Sequence, residues 1–397
     1  MVNVAILGFG TVGSGVYEIL RKNPESISKK AGDQEIDVKY ILDIRDFPDH
    51  AEAHLFTKNF DDILNDEDVS IIVEVMGGLE PAYTFTKSAL LKGKTVITSN
   101  KELVAAHGTE LLEIAKKNDV NYFFEASVGG GIPIIRPLNQ CLAANEISHL
   151  YGILNGTTNF ILTKMFAEGA SFESALKEAQ DLGYAERNPE ADVEGHDACR
   201  KTAILASLMT GKFIDYKDIP TEGITQISTI DVTMAEKLGF VIKLIGSAQV
   251  SSDGKVSAIV APRLVSKESL LSDVSGVFNA ILVRGDSLGD VIFYGRGAGK
   301  LPTASAVVAD VIDAAKHMHV NKIVNWEAHE ENLMNNPDFD TYRYFVRTKD
   351  KALIDAFPGA TLVGGADGEF VFTTDEMTEE SFKKIALGKC NFIRILP

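Results

Sequence analysis

Short aliphatic runs alternate with helical patterns over the first third of the chain. The runs have the β-branched composition of buried parallel strands and lie at residues 2–7, 38–43, 70–75, 95–98 and 122–125. Between them, residues 12–20 and 81–92 carry apolar side chains at helical spacing. This order predicts an α/β fold built on a Rossmann-type doubly wound parallel sheet, in which ligands lie beyond the carboxyl ends of the strands.

The pattern changes after residue 146. Strands are predicted at 147–154, 256–264, 280–286 and 290–294, and helices at 160–166 and 304–315. The end of the chain predicts a βαββαβ order. We therefore expect a dinucleotide-binding domain at 1–126, an α+β catalytic and dimerisation domain at 127–318, a connection at 319–339 and a small module at 340–397. Residues 304–318 are expected to pack back on the nucleotide domain.

A glycine-rich turn joins the first predicted strand to the first predicted helix. It reads Gly8-Phe9-Gly10-Thr11-Val12-Gly13. In the GxGxxG pattern the first glycine permits the tight turn, the second lets the backbone approach a pyrophosphate, and the third allows helix and strand to pack closely. The turn predicts a dinucleotide site at the positive end of a helix; a tight turn that binds no ligand is the alternative.

The second predicted strand ends beside one acidic and one basic residue. Asp43 suits the hydroxyl groups of an adenosine ribose, whereas Arg45 suits a 2′-phosphate. The sequence therefore leaves NAD and NADP open, and Arg45 favours NADP.

Further candidates follow the later strands of the predicted sheet. Gly77 comes after the run 70–75, and Ser99 and Lys101 follow the run 95–98. Lys101 is either a cation beside the reacting end of a coenzyme or a surface lysine at a helix start. Three consecutive glycines, 129–131, expose carbonyl groups that suit a monovalent cation or form a hinge.

A small polar turn, 155–159, opens the apolar helix predicted at 160–166. Its backbone amides and hydroxyls suit a carboxylate. Ordinary capping of the helix by Thr157, Thr158 or Asn159 is the alternative.

The densest group of polar residues lies between residues 183 and 206. Asp197 and Lys201 are four residues apart, so they share one face of a predicted helix that becomes apolar after them. Partial burial would lower the pKa of Lys201 toward neutrality while Asp197 orients its amine, as a general acid or base requires. A plain salt bridge between the two is the alternative.

Composition narrows the classes of function. The chain has 397 residues, of which 39 are basic and 56 acidic, giving a net charge of −17 at pH 7. Such a field repels nucleic acid and anionic lipid. The three cysteines form no CxxC pair, so neither a disulfide framework nor a zinc site is indicated. Without a long apolar stretch, the chain is expected to be a soluble cytoplasmic protein that acts on a small molecule.

Seven stretches together resemble the motif set of homoserine dehydrogenases. In chain order they are GFGTVGSGV, VEVMGG, LLKGKTVITSNKELVA, FEASVGGGIPIIRPL, LNGTTNFI, GYAERNPEADVEGHDACRKTAILA and GRGAGKLPTASAVVADV. The resemblance implies hydride transfer between C4 of the nicotinamide of NAD or NADP and C4 of homoserine. That reaction interconverts L-homoserine and L-aspartate 4-semialdehyde, a step toward threonine and methionine.

The resemblance also implies roles for individual residues. Lys201 would exchange a proton with the aldehyde oxygen, Asp197 would contact the substrate hydroxyl, and Lys101 would assist proton movement at the nicotinamide. The substrate ammonium would meet Glu186 and Asp192. The substrate pocket would be shaped by Gly156, Thr157 and Tyr184.

The same resemblance extends the coenzyme site and adds an ion. Besides the glycine turn and Arg45, coenzyme contacts would come from Gly77, Ser99, Lys101, Gly183 and Gly299. The family's loop for a sodium or potassium ion falls on the main-chain carbonyls of Glu125, Val128, Gly130 and Ile132.

The last segment resembles an ACT-like regulatory module. Lys349-Asp350-Lys351 stands where such modules commonly place a Pro-Gly turn, so effector binding and dimerisation are alternative roles. A homodimer or homotetramer is expected. The alternative functions are a non-catalytic sensor of a nucleotide or amino acid and a dehydrogenase of another small amino-acid-derived alcohol.

Overall fold

A computed structural model describes residues 1–324, 326–328 and 330–396. The chain folds into two compact units. The first unit consists of Met1–Ala144, Ser207–Asp215 and Gly295–His329, and the second consists of Asn145–Ala206, Tyr216–Tyr294 and Glu330–Pro397. The domain boundaries expected from the sequence remain predictions.

The regular elements are as follows in chain order. The strands are β1 (Val2–Leu7), β2 (Ile36–Leu42), β3 (Phe56–Thr57), β4 (Val69–Glu74), β5 (Thr95–Thr98), β6 (Tyr122–Phe123), β7 (Ile147–Ile153), β8 (Phe240–Val250), β9 (Val256–Ser266), β10 (Phe278–Gly285), β11 (Gly289–Arg296), β12 (Thr341–Tyr342), β13 (Tyr344–Thr348), β14 (Thr361–Ala366), β15 (Glu369–Thr373), β16 (Met377–Thr378) and β17 (Asn391–Ile395). The α-helices are α1 (Thr11–Lys22), α2 (Pro24–Lys30), α3 (Phe60–Leu64), α4 (Ala82–Leu91), α5 (Lys101–Lys117), α6 (Gly156–Glu168), α7 (Phe172–Asp181), α8 (Glu190–Val193), α9 (His196–Thr210), α10 (Thr229–Lys237), α11 (Lys300–Lys316), α12 (Ala352–Ala356) and α13 (Glu379–Ala386).

The sheet of the first unit has six parallel strands in the order β3-β2-β1-β4-β5-β6. The order reverses between β1 and β4, and sheets of this kind bind ligands at such a switch point. The predicted Rossmann-type sheet is confirmed, and β1 and β5 have the predicted bounds. The polar segment 23–35 contains α2, and Pro24 is well suited to the first position of this helix.

The core of the first unit lies where the sheet meets α1 and α11. Ile6 of β1 and Val307 of α11 are fully buried there. A Cβ on Gly15 of α1 would lie only 2.9 Å from the Cβ of Ala304, so the two helices approach closely. This packing holds the N-terminus of α1 directly after β1.

The sheet of the second unit has nine strands in the order β11-β10-β7-β8-β9-β17-β13-β15-β14. Its longest pair is β8 and β9, which are antiparallel over eleven residues each. β8 was not predicted from the sequence. Lys243 and Gly246 interrupt the apolar pattern of this strand, yet both are buried in the sheet.

The last strands of the chain extend the same sheet. β13, α12, β14, β15, α13 and β17 come in the predicted βαββαβ order, with the two-residue strand β16 between β15 and α13. β17 pairs in parallel with β9 through Arg394 opposite Arg263 and Ile395 opposite Leu264. The guanidinium of Arg394 binds Glu222 and Glu379, with N–O distances of 2.7 and 2.6 Å. The terminal segment is thus joined to the second unit by both backbone and charged contacts.

Candidate active site

The glycine turn of the first unit leaves the start of α1 open to a ligand. Gly8 has φ +96°, a left-handed conformation that favours glycine. Gly10 is the N-cap of α1 and has no side chain to satisfy the first N–H groups of the helix. A Cβ at Gly10 would meet no described atom within 4 Å, whereas a Cβ at Gly13 would lie 1.9 Å from the Gly8 carbonyl oxygen. These residues therefore fit a dinucleotide whose pyrophosphate takes the place of a cap.

Asp43 and Arg45 form an ion pair beside the glycine turn. Asp43 Oδ2 accepts a hydrogen bond from the Phe9 N–H at 2.8 Å, and both carboxylate oxygens bind the Arg45 guanidinium at 3.0 and 2.9 Å. The hydrogen bonds from Arg45 and from the Phe9 backbone hold the pKa of Asp43 well below its usual range. The Arg45 side chain is 58% exposed while that of Asp43 is 7% exposed, so the guanidinium is the part presented to solvent.

Lys101 lies at the first position of α5. The preceding residue, Asn100, caps the helix by accepting a hydrogen bond from the Leu103 N–H at 3.2 Å. A positive charge at this end is opposed by the helix dipole, and a stabilising role for the lysine is therefore disfavoured. Ser99 is half-buried just before it, and the exposed Gly77 has φ +84° after β4.

The carbonyls predicted to hold a cation lie in a buried loop of the first unit. The side chain of Glu125 is engaged elsewhere, because it accepts the N–H groups of Ile134, Ile135 and Arg136 at 2.6, 2.8 and 2.8 Å. The main-chain oxygens of Val128, Gly130 and Ile132 accept no hydrogen bond from the described residues. The three residues are buried, and carbonyl oxygens that accept no hydrogen bond suit a monovalent cation. Gly299, also of the first unit, is the N-cap of α11 and has φ +124°.

In the second unit, Asn155 organises the polar turn before α6. Its Oδ1 accepts the Thr158 N–H at 2.9 Å, so Asn155 is the cap of α6. The alternative interpretation, in which Thr157, Thr158 or Asn159 caps the helix, is wrong about the residue, because the helix begins four residues earlier than expected and these residues lie inside its first turn.

The amide of Asn155 also holds two carboxylates together. Its Nδ2 donates to Asp192 Oδ1 at 2.7 Å and to Asp197 Oδ2 at 3.0 Å. Burial raises the pKa of Asp192, with a smaller contribution from the charge of Asp197, while the hydrogen bond from Asn155 opposes both. The cluster is therefore a partly desolvated anionic site, suited to a ligand with a positive charge.

The amine of Lys201 is fixed within the same cluster. Nζ donates to Asp197 Oδ2 at 2.9 Å and to the Leu154 carbonyl oxygen at 2.8 Å, and the side chain is 11% exposed. An ammonium has three N–H donors, and these contacts take two of them. The arrangement leaves one donor with a defined direction, as proton transfer to a bound group requires.

The other predicted substrate residues fall into two groups. Thr157 donates its hydroxyl to the Tyr184 carbonyl at 2.7 Å, and a Cβ on Gly156 would lie 3.0 Å from the Val277 oxygen, so all three belong to the neighbourhood of the turn. Glu186 is exposed, and no hydrogen bond in the described residues joins its carboxylate to Lys201, Asp197 or Asp192. The exposed Gly183 follows α7 with φ +74°.

Two buried polar residues were missed by the sequence analysis. Asn155 was quoted only as part of a turn, and Glu74, at the end of β4, was not singled out. The signal for Glu74 is an acidic residue that interrupts the mainly apolar run Ser70 to Val75. Among the described residues there is no group of three or more His, Cys, Asp or Glu side chains that could hold a metal ion, and no helix long and apolar enough to cross a membrane.

Comparisons with known proteins give one family for both units. The model of the NAD binding domain of homoserine dehydrogenase matches residues 8–125, and the model of homoserine dehydrogenase matches residues 133–312. The homoserine dehydrogenase of Synechocystis is 46% identical to this chain over 319 residues, which cover 79% of this chain and 73% of that protein.

Two solved structures extend the comparison. The homoserine dehydrogenase of Thiobacillus denitrificans has a TM-score of 0.90 and 36% identity, covering 100% of this chain and 98% of that one. A hyperthermophilic archaeal homoserine dehydrogenase in complex with NADPH has a TM-score of 0.65 and 31% identity, covering 79% of this chain and 97% of that one. The chain therefore belongs to the homoserine dehydrogenase family of NAD(P)-dependent oxidoreductases.

Proposed function

We propose that Lys201 is the proton donor and acceptor in the interconversion of L-homoserine and L-aspartate 4-semialdehyde. The observation that supports this role is the fixed amine, bound to the Leu154 carbonyl and to Asp197 on a buried face of α9. NAD(P), when bound, would supply the hydride for the aldehyde carbon and would take it up from homoserine in the reverse direction. During reduction, Lys201 gives a proton to the oxygen as it gains negative charge. During oxidation, Lys201 takes that proton back.

Asp197 and its neighbours hold the substrate in this proposal. Asp197 receives the substrate hydroxyl and orients Lys201, while Glu186 and Asp192 bind the substrate ammonium. An anionic cluster suits an ammonium, and the raised pKa of Asp192 agrees with a carboxylate that lacks its counter-charge. Gly156, Thr157 and Tyr184 shape the pocket.

The coenzyme is held mainly by backbone groups of the first unit in this proposal. The turn of Gly8, Phe9, Gly10, Thr11, Val12 and Gly13 would hold the pyrophosphate, because α1 has no side-chain cap there. The exposed guanidinium of Arg45 receives a 2′-phosphate, so we propose that NADP is preferred to NAD. Lys101 would meet the nicotinamide, and Gly77, Ser99, Gly183 and Gly299 would make further contacts with the coenzyme.

Three finer features complete the proposal. A sodium or potassium ion is bound by the carbonyls of Glu125, Val128, Gly130 and Ile132. The enzyme is a cytoplasmic homodimer or homotetramer. The segment 340–397 is an ACT-like module that serves dimerisation or effector binding.

The direct test is turnover in both directions, followed by the absorbance of reduced nicotinamide. Purified protein with homoserine and NADP, or with aspartate 4-semialdehyde and NADPH, is expected to change this absorbance, and omission of either substrate is expected to abolish the change. Coenzyme binding without turnover in either direction would contradict the proposal and would favour a sensor.

A further inference from the structure

Glu74 is a fully buried carboxylate at the end of β4 to which the proposed function assigns no role. Oε1 accepts the Met76 N–H at 2.8 Å, and Oε2 accepts the Thr98 hydroxyl at 2.6 Å. Met76 belongs to the loop after β4, and Thr98 is the last residue of β5. One carboxylate therefore joins the carboxyl ends of two adjacent parallel strands.

Asn100 completes a second connection between the same two loops. Its N–H donates to the Thr98 hydroxyl at 2.9 Å, and its Nδ2 donates to the Gly78 carbonyl at 2.6 Å. The same side chain caps α5. A continuous set of hydrogen bonds thus runs from Glu74 through Thr98 and Asn100 to Gly78, and it ends beside Lys101.

Hydrogen bonds, rather than packing, define the loop after β4. Gly77 and Gly78 have φ +84° and +72°, and a Cβ on either would meet no described atom within 4 Å. Burial raises the pKa of Glu74, so the carboxylate is held at an energetic cost that its hydrogen bonds offset. A buried carboxyl group is a costly way to join two strands that already pair, so its distinctive effect is on the loops that follow them.

We propose that Glu74 is a positioning residue for the coenzyme. Through Thr98 and Asn100 it holds the loop after β4 and the first turn of α5 in the form that binds the nicotinamide half of NAD(P). The inference rests on the proposed function only in taking these loops as coenzyme contacts. Glu74 itself is buried and acts through Thr98 and Asn100.

The test compares two buried threonines of the first unit. Thr98 and Thr86 are both fully buried, but the Thr86 hydroxyl has no hydrogen-bond partner among the described residues. Thr98→Val removes the hydroxyl that joins Glu74 to Asn100. Thr86→Val makes the same chemical change at a hydroxyl that joins no other described group. We expect Thr98→Val to raise the Kd of reduced coenzyme about tenfold, because a loop that is correctly placed a tenth of the time binds tenfold more weakly. Thr86→Val is expected to leave this Kd unchanged.

Glu74→Gln provides a second, independent variant. Glutamine keeps the shape but replaces one acceptor by an NH2 donor. If its oxygen keeps the Met76 N–H, its NH2 faces Thr98, and the hydrogen of the Thr98 hydroxyl loses its buried acceptor. We expect the coenzyme Kd and KM to rise while kcat at saturating coenzyme changes less than about threefold. The double variant of Glu74→Gln and Thr98→Val is expected to bind coenzyme no more weakly than the weaker-binding single variant, because both substitutions break the same connection.

Three results would overturn the inference. They are an unchanged coenzyme Kd in Thr98→Val, additive effects in the double variant, and a fall in kcat with no change in Kd. Binding is measured by fluorescence of the reduced coenzyme with enzyme alone, so the outcome does not depend on turnover. If Thr98→Val weakens coenzyme binding while the wild-type protein turns over no homoserine, the proposed function fails and this inference stands.

Discussion

The glycine turn of the first unit and the polar cluster of the second differ in the groups they use. The turn offers backbone N–H groups, and its side-chain requirement is steric, as the 1.9 Å approach of a Gly13 Cβ to the Gly8 oxygen illustrates. The cluster offers the side chains of Asn155, Asp197 and Lys201, which are buried and bind one another. A backbone site is encoded in six adjacent residues, whereas the cluster requires residues more than forty positions apart.

Burial also distinguishes Lys201 from a lysine that has an acidic residue four positions before it on an exposed helix face. Glu113 and Lys117 of α5 form an i,i+4 pair in the same order as Asp197 and Lys201, but their side chains are 60% and 69% exposed, against 8% and 11%. An exposed pair of this kind contributes a few tenths of a kcal/mol at most. The buried pair has its amine held by a second acceptor, and this difference distinguishes a potential proton donor from a surface contact.

The largest expected effect tests this difference directly. Lys201→Met should lower kcat by at least ~10²-fold, the scale of a lost general acid or base, with the circular dichroism spectrum unchanged. Lys117→Met should leave kcat within about twofold of wild type. Equal turnover of the Lys201→Met variant and the wild type would show that Lys201 is only a structural partner of Asp197.

The next effect concerns the glycine turn. Gly10→Ala places a methyl group where no described atom lies within 4 Å, so we expect folding to be retained and coenzyme affinity to fall by about tenfold or more. Gly13→Ala forces the methyl group against the Gly8 carbonyl, so both coenzyme affinity and the free energy of unfolding should fall, the latter by about 1–3 kcal/mol. Urea unfolding and coenzyme titration separate the two variants. A stable Gly10→Ala variant with normal coenzyme affinity would show that the pyrophosphate does not bind at this turn.

The elements that the sequence predicted correctly were mostly those with a local pattern. β1, β5 and the glycine turn were found because each is a short continuous signal. β8 was missed because Lys243 places a charged residue within its apolar pattern. In the structure the Lys243 amine donates to the Asn159 Oδ1 and to the Val274 carbonyl, and burial lowers the pKa of Lys243 to about 8. Asn155 and Glu74 were missed because their importance lies in contacts with residues far along the chain.

A smaller effect is expected at the ion pair beside the turn. Arg45→Ala should raise the KM for NADPH about tenfold and leave that for NADH nearly unchanged, because only the former has a 2′-phosphate. Lys58→Ala is the matched control, since Lys58 lines the same cavity of about 570 Å³ and is 56% exposed. Steady-state kinetics with both coenzymes measures the ratio of the KM for NADPH to the KM for NADH. An equal rise for NADH and NADPH would place the 2′-phosphate elsewhere.

The smallest expected effect is a change in the stability of the folded protein when Asp192 of the polar cluster is replaced. Because burial raises the pKa of Asp192 in the folded state, the folded protein holds this proton more tightly than the unfolded chain does. The resulting stabilisation is complete below the unfolded pKa, near ~3.9, and is lost as the pH rises through the folded pKa. Asp192→Asn keeps an oxygen for the Asn155 amide but has no charge to desolvate.

At neutral pH the Asp192→Asn variant should therefore be as stable as the wild type or more stable, by at most about 1 kcal/mol, and the difference should shrink toward pH 4. Thermal unfolding between these pH values measures it. The KM for homoserine should rise in the same variant, because the substrate ammonium loses a carboxylate. A wild type that is more stable than the variant at neutral pH would mean that the carboxylate already has its counter-charge within the protein. The anionic cluster would then be a structural feature rather than a site completed by its substrate.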